Sequence, residues 1–372
     1  MRKNIFQQFY HKKLHSIHES FKKTKDGYYK KIIPDETVGG VKDLQAYLEN
    51  LRNSIKSKSL ILLTYHNHLW EPVLSIASYF GLRKEVKIQN WLEEEDIKNI
   101  LQLSGFEITE KPKSYLLSLI TSVIARPNQK FKPPSRKYSV TIVVPARNEA
   151  GNIPKIVPAI PKFGKWQEII FVEGNSTDNT WIKIKNQIKG QKKNIALKQS
   201  GVGKSDAVKL GFDNAKGDIL MIYDADMTVA ASDLKKFYTA LAQNPRTFAN
   251  GSRMVYPMEE DAMRTLNKIG NKIFSLLFSW ILNTKFKDTL CGTKAIFKKD
   301  YLKYKDDYIN YLKVDPFGDF ALIFTAIKNK LRVVEIPIRY KERVYGTTNI
   351  KRFKHGLILL KMSLTAFLEF KL

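Results

Sequence analysis

Asp224-Ala225-Asp226 is the segment of this 372-residue sequence whose residue types and spacing offer the plainest chemistry. It follows Ile219 to Tyr223, an apolar run short enough for a buried strand, so both carboxylates emerge at a strand end. Two carboxylates at i and i+2 in that position can share a hard divalent cation, Mg²⁺ or Mn²⁺, whose shell phosphate oxygens complete. Such a cation offsets the charge that builds on a departing nucleoside diphosphate. A solvated turn has the same sequence, so the tripeptide alone leaves both readings open. Gln199 to Ala207 sets Gly201, Gly203 and Lys204 ahead of a helix, which suits backbone N–H groups and an ammonium facing phosphate oxygens. It lacks the Walker-loop spacing, and a tight strand-to-helix turn reads equally well.

These residues need a frame that brings them together. Val140, Ile142, Val143 and Val144 form a near-continuous apolar run, and Ile169 to Val172 and Ile219 to Ile222 repeat it. Helical segments over 179–189 and 204–215 alternate with them, the pattern of an α/β fold with a parallel sheet. Ligands in such sheets bind beyond the carboxyl ends of the strands, which is where Pro145 to Glu149, Glu173 to Asp178 and Asp224 to Asp226 fall. Upstream, 30–35 and 59–64 read as strands and 41–51 and 92–103 as helices, with Gly105 a suitable C-cap. Residues 1–25 read as a basic helix or arm. The Pro-rich stretch from Arg126 to Ser135 has no strand or helix period and reads as a linker. The expected division is 1–125, a linker over 126–137, a second domain over 138–350 and a terminal amphipathic helix over 351–372.

Four motifs in order carry a resemblance. They are Val144-Pro145-Ala146-Arg147-Asn148-Glu149, Glu173 to Asp178, Gly203-Lys204 with Asp206-Ala207, and Gly217-Asp218 leading to Asp224-Ala225-Asp226. Together they resemble inverting glycosyltransferase family 2 of the GT-A fold, a mostly parallel sheet flanked by helices. Within it, Gly251-Ser252-Arg253, the stretch from Asp288 to Lys294, and Pro337-Ile338-Arg339 followed by Arg343 to Asn349 are similar to the polyprenyl-phosphate sugar synthases. The resemblance implies a nucleotide pocket lined by Pro145, Asn148, Glu149 and Glu173, with Asp178 in support. It implies Lys204 and Arg343 at the phosphates, and Asp224 and Asp226 on Mg²⁺ or Mn²⁺. Asp226, Asp319 and Arg253 would form the catalytic set, Arg253 contacting donor or acceptor phosphates. Asp319 reads either as a general base for a hydroxyl acceptor or as a helix N-terminal carboxylate. The chain departs from the family at Gly174, where a second acid is usual, at Thr228 in place of Gln, and at Gly346 to Asn349 in place of Gly-x-Ser-Lys.

The implied donor is a nucleotide-diphospho-sugar and the implied acceptor a polyprenyl phosphate or a cell-envelope glycan. A nucleotidyltransferase, or a non-catalytic sugar-nucleotide-binding or scaffold protein at the membrane, fits the same acids. Residues 27–115 resemble the carboxyl-terminal half of a Rossmann-like S-adenosylmethionine-dependent methyltransferase. The resemblance lies in Tyr28 to Asp35, Ser59 to Pro72, Asn90-Trp91-Leu92 and Leu103 to Glu107. No Gly-x-Gly loop follows a strand before residue 136, so this α/β region reads as incomplete, with no S-adenosylmethionine and no methyl transfer expected. His66 and His68 read as polar residues at a strand end, with metal ligation the alternative, for which no third ligand stands out in the sequence.

Composition sets the outer limits. Lys and Arg number 63 against 36 Asp and Glu, a formal charge of +27 that draws polyanions or simply keeps a surface soluble. No nucleic-acid module is present, so no specific nucleic acid is expected as a partner. A lone cysteine, Cys291, excludes a disulfide framework and any cysteine-based zinc cluster. No apolar stretch is long enough to span a bilayer, and the basic N-terminus lacks the apolar core of a secretory signal. Leu357, Leu360, Leu364, Phe367 and Leu368 share a helical face behind Lys351, Arg352 and Lys354. Such a helix lies on an anionic bilayer surface or packs on its own sheet. The expectation is a cytoplasmic protein peripheral to the inner face of the membrane.

Overall fold

A computed structural model describes residues 5–23, 28–81, 89–133, 135–258, 265–346 and 352–372. The chain divides into two units, residues 1–132 and 133–372. The first contains α1 (Ile5–Lys22), β1 (Tyr29–Ile33), α2 (Asp35–Gly40), α3 (Leu44–Ser54), β2 (Ser59–His66), α4 (Glu71–Tyr79), α5 (Glu94–Leu103), β3 (Phe106–Ile108), β4 (Lys113–Tyr115) and β5 (Ile120–Pro127). Its sheet runs β1-β2-β5-β3, with β4 also on β5. Only β1 and β2 are parallel. Leu14, Ile17 and Phe21 of α1 bury against Leu60, Leu62, Leu119 and Ile120.

The linker expectation starts two residues too early. Arg126 and Pro127 continue β5 and pair with Glu107 and Phe106. Pairing with β2 stops at Ala125, so nothing on that side asks Pro127 for the N–H it lacks.

The second unit contains β6 (Val140–Ala146), α6 (Ile153–Ala159), β7 (Gln167–Glu173), α7 (Thr180–Ile188), β8 (Ile195–Lys198), α8 (Lys204–Asn214), β9 (Ile219–Ile222), α9 (Leu234–Gln243), β10 (Thr247–Ser252), α10 (Thr265–Leu282), β11 (Lys294–Phe297), α11 (Lys298–Lys303), α12 (Lys305–Leu312), α13 (Asp319–Lys328), β12 (Arg332–Pro337) and α14 (Arg352–Phe370). Its seven-stranded sheet runs β12-β10-β11-β9-β6-β7-β8. Every neighbouring pair is parallel except those made by β11, which runs against β10 and β9. The α/β, mostly parallel sheet flanked by helices expected from the sequence is therefore present.

Apolar runs without alternation give strands buried on both faces. Val143, Ile170, Val172, Leu220 and Ile222 face a core built with α8, α10, α13 and α14. Leu359, Met362 and Ala366 of α14 belong to that core, so the terminal helix packs on its own unit. A second stripe of α14 stays out: Leu357, Leu360, Leu364 and Leu368 are each more than half exposed. Ile269, Ile273, Leu276 and Trp280 of α10 behave likewise. The two helices pack together, and Trp280 stacks on Phe367 with centroids 5.8 Å apart.

Candidate active site

The polar clusters converge at the carboxyl edge of β6, β7 and β9. Each of the three loops there holds a non-glycine residue at positive φ: Asn148 (57°), Asn175 (56°) and Met227 (56°). Asparagine tolerates this region because its amide bonds locally, whereas methionine has no such compensation. Such strain collects where surrounding contacts force a backbone to aim side chains.

In the first loop, just after Pro145, Asn148 Oδ1 accepts from Thr177 N at 2.8 Å, and its own N–H donates to Ser176 Oγ at 3.0 Å. Asp178 accepts from Ala150 N and Thr180 N. Glu173 is buried and accepts from Ser176 N at 2.5 Å. Asn148 and Asp178 thus tie the β6 and β7 loops to each other, while Glu173 braces the β7 loop itself. Glu149 is buried as well; Asn152 Nδ2 donates to its Oε2 at 2.7 Å, and its N–H donates to Thr180 Oγ1 at 2.8 Å. Burial pushes its carboxyl above the usual range, although Asn152 and Arg343 pull the other way.

Both acids at the end of β9 meet a base. Lys204 Nζ, at the first position of α8, stands 2.7 Å from Asp224 Oδ1 and 3.6 Å from Asp319 Oδ1. Burial lowers the Lys204 ammonium, but these two carboxylates outweigh it and hold it well above its ordinary value. Arg343 Nη2 stands 2.6 Å from Asp226 Oδ2, and its Nη1 stands 2.8 Å from Glu149 Oε1. Thr228, from both N and Oγ1, donates to Asp226 Oδ1.

Two glycines admit this geometry. Gly203 takes φ +96°, turning the chain into α8. A Cβ on Gly292 would lie 2.1 Å from Lys204 Nζ and 2.2 Å from Asp224 Oδ2, so only glycine leaves space for the pair.

Asp319 opens α13, where Asp315 accepts from the backbone N–H groups of Phe317, Phe320 and Ala321. Burial pushes the Asp319 carboxyl up, and Lys204 and Lys294 oppose it. Asp315, buried beside Asp319, is pushed up to about 6. Arg253 is directed elsewhere: its Nε and Nη2 meet Asp288 at 2.6 and 2.8 Å. Burial alone would raise the Asp288 carboxyl, but Arg253 holds it below the ordinary range. Arg253 still lies within electrostatic reach of Asp319.

A divalent cation fits the chemistry of this donor set. Asp224 and Asp226 are oxygen donors, each paired with a positive group that a second acid shares. Among the described residues no cluster of three or more His, Cys, Asp or Glu could hold a metal, so the remaining ligands would be substrate oxygens and water. Thr347 to Asn349 lie outside the described residues, as does Lys351.

The sheet, its carboxyl-edge acids and the basic groups set against them meet a match in the family comparison, where residues 141–326 fit the model of glycosyl transferase family 2. The chain belongs to that family. It is 26% identical over 224 residues to glycosyltransferase AglJ of Haloferax volcanii, which covers 59% of this chain and 69% of that protein. It is 25% identical over 215 residues to the dolichol-phosphate mannosyltransferase of Pyrococcus furiosus, covering 57% of this chain and 59% of that protein. Among solved structures, glucosyl-3-phosphoglycerate synthase from Mycobacterium tuberculosis, in complex with Mn²⁺, UDP and glucosyl-3-phosphoglycerate, superposes with a TM-score of 0.45 at 14% identity. That alignment covers 62% of this chain and 79% of the other. This glycosyltransferase keeps the three loops and their acids together at one sheet edge.

Four contributors to the site escaped the sequence reading in their roles: Gly292, Asp315, Asn152 and Thr228. Asp315 had a visible signal, an Asp-x-x-x-Asp spacing directly before the apolar run of α13. Gly292 had none beyond its motif, because its role depends on side chains more than 60 residues away.

Proposed function

We propose that this glycosyltransferase is cation-dependent and inverting, and that it moves a sugar from a nucleotide-diphospho-sugar to a phosphate-bearing acceptor, such as a polyprenyl phosphate, at a membrane surface. The observation that carries this reading is the pairing of both strand-end acids with bases, Asp224 with Lys204 and Asp226 with Arg343. This is the charge pattern of a pocket for a diphosphate and a cation. Asp224 and Asp226 would hold Mg²⁺ or Mn²⁺, which offsets charge on the leaving nucleoside diphosphate. Lys204 faces the same oxygens from the start of α8, where the helix N-terminus also favours an anion. Attack on the anomeric carbon comes from the side opposite the diphosphate. A phosphate acceptor is already ionised and needs no base, so Asp319 then serves to hold Lys204.

A hydroxyl acceptor, as on a cell-envelope glycan, is the second reading, favoured by the raised carboxyl of Asp319, which suits a general base. The membrane part rests on the exposed apolar stripes of α10 and α14, with Lys371 lying 5.3 Å from the Trp280 ring. No helix among the described residues is long and apolar enough to cross a membrane. The name of the Pyrococcus relative supports a lipid-phosphate acceptor. In this reading the region over 1–125 is a remnant or docking domain without methyl transfer.

The test is product analysis with UDP- and GDP-sugars, with and without Mn²⁺. Release of nucleoside diphosphate supports the reading, and release of pyrophosphate marks a nucleotidyltransferase. Asp226→Ala should lower cation-dependent turnover by about a hundredfold or more. Wild-type turnover in that variant removes the cation role. Donor binding with no turnover on any acceptor marks a binding protein.

A further inference from the structure

A segment from the end of the sheet is fastened across the acids of the candidate site. After β12 the chain runs back along the loop that follows Asp226: Ala230 N donates to Arg339 O, Lys341 N donates to Thr228 O at 2.7 Å, and Val229 bridges Tyr340. Two residues later Arg343 joins Asp226 to Glu149, and the Tyr345 ring packs on Gly151. One guanidinium therefore spans the end of β9 and the loop after β6.

Its two carboxylate partners are not equivalent. Glu149 is buried and held by Asn152 and Thr180, and its carbonyl accepts from Asn152 N and Ile153 N, so it forms a fixed seat. Asp226 is an acid the cation would use. A lone pair that accepts from a guanidinium at 2.6 Å cannot also bind a metal ion, and the two positive charges repel at that separation. Thr228 N and Oγ1 already occupy Oδ1, which leaves Oδ2 as the oxygen open to a cation, so cation and guanidinium compete there.

We propose that Arg343 occupies the cation's place on Asp226, and that Glu149 is the positioning residue that keeps it tethered when the cation arrives. Released from Asp226 but still held through Nη1, Arg343 presents Nη2 to the diphosphate that follows the cation. Arg343 thus opposes the cation alone and favours cation and nucleotide together. The inference rests on the reading of Asp224 and Asp226 as the cation's holders.

Mn²⁺ titration of the full chain, followed by electron paramagnetic resonance without nucleotide, tests it. If the parked state is about 90% populated, Arg343→Met should bind Mn²⁺ about tenfold more tightly than wild type. With Mn²⁺ saturating, the same variant should bind UDP or GDP about tenfold more weakly. Glu149→Gln should shift both quantities in the same directions by about threefold, and should add nothing in the Arg343→Met background. Unchanged or weaker Mn²⁺ binding in Arg343→Met overturns the proposal, as does an equal effect of Glu149→Gln in both backgrounds. Asp226→Asn separates the two readings. If it abolishes Mn²⁺ binding while Arg343→Met has no effect, this proposal alone falls. If wild type binds no Mn²⁺ and Asp226→Asn leaves nucleotide binding intact, the cation reading falls with it.

Discussion

Each unit of the chain brings an acid to the carboxyl end of parallel strands, and the two have different neighbours there. In the first unit Asp35 lies just past β1 and His66 ends β2. Tyr10 of α1 reaches between them: its hydroxyl donates to Asp35, lies 2.9 Å from His66 Nε2, and its ring stacks on the imidazole at a 6° interplanar angle. Both side chains are closed off, 7% and 11% exposed. In the second unit Asp224 and Lys204 remain 28% and 26% exposed, and the groups that satisfy the acids are flexible cations rather than an inserted ring. Topology offers a binding position at both edges. What separates them is whether the chain's own side chains fill it.

The sharpest way to break this contrast is to fill the second edge as Tyr10 fills the first. Gly292→Val would place a side chain onto the Lys204–Asp224 pair, forcing both groups from position. Turnover should fall by roughly a hundredfold, the scale of an ångström misplacement in a catalytic site. Nucleoside diphosphate release measures it, with circular dichroism to show the unit still folded. Wild-type turnover would mean that the close approach at Gly292 positions nothing.

What was legible in the sequence follows the same division between local and distant causes. Strands, glycine turns and the acids at their ends are set by neighbours within a few residues, so β6, β7 and β9, and the places of Asp224 and Asp226 past a strand and of Lys204 at a helix start, are legible locally, while their roles are not. The family resemblance sets Arg253 on phosphates, and nothing local shows that Asp288, 35 positions on, takes its guanidinium. The same resemblance sets Arg343 on phosphates, and nothing local shows that Asp226 and Glu149 hold it. In the first unit the sequence around His66 and His68 allows polar strand-end residues or metal ligands and shows neither contact, since Tyr10 and Glu93 are remote in sequence.

Buried acids extend the comparison. Asp35 is satisfied by side chains, whereas Asp315 has three backbone N–H groups and no basic partner in an ion pair among the described residues. Burial and the Asp319 charge push its carboxyl to about 6 from 3.8. The folded protein then keeps a proton that the unfolded chain releases near pH 3.8. Stability from this group is fully present below pH 3.8 and declines as pH rises toward 6, by on the order of 2 kcal/mol. Denaturation midpoints across that window should slope downward in wild type more than in Asp315→Asn. Parallel slopes would leave Asp315 without its raised carboxyl.

The terminal helices form the next contrast. α1 buries Leu14, Ile17 and Phe21, while α14 buries one stripe and exposes another. Leu360→Asp with Leu364→Asp changes only the exposed stripe. Binding to vesicles with anionic headgroups should weaken about tenfold, with the fold unaltered. Equal sedimentation with vesicles for variant and wild type would end the case for that face as a lipid contact.

The smallest effect is expected where the edge is already full. Tyr10→Phe keeps the ring stacked on His66 and removes only the hydroxyl that Asp35 accepts. Losing one hydrogen bond to a buried charged group should cost the first unit about 1–3 kcal/mol, visible as a lower unfolding midpoint. Donor binding and turnover should stay at wild-type values, because Tyr10 fills a position that the proposed chemistry does not use. A variant that kept its midpoint but lost turnover would reverse the assignment. The closed edge would then belong to the reaction, and the exposure that marks the other edge would no longer distinguish a site from a plug.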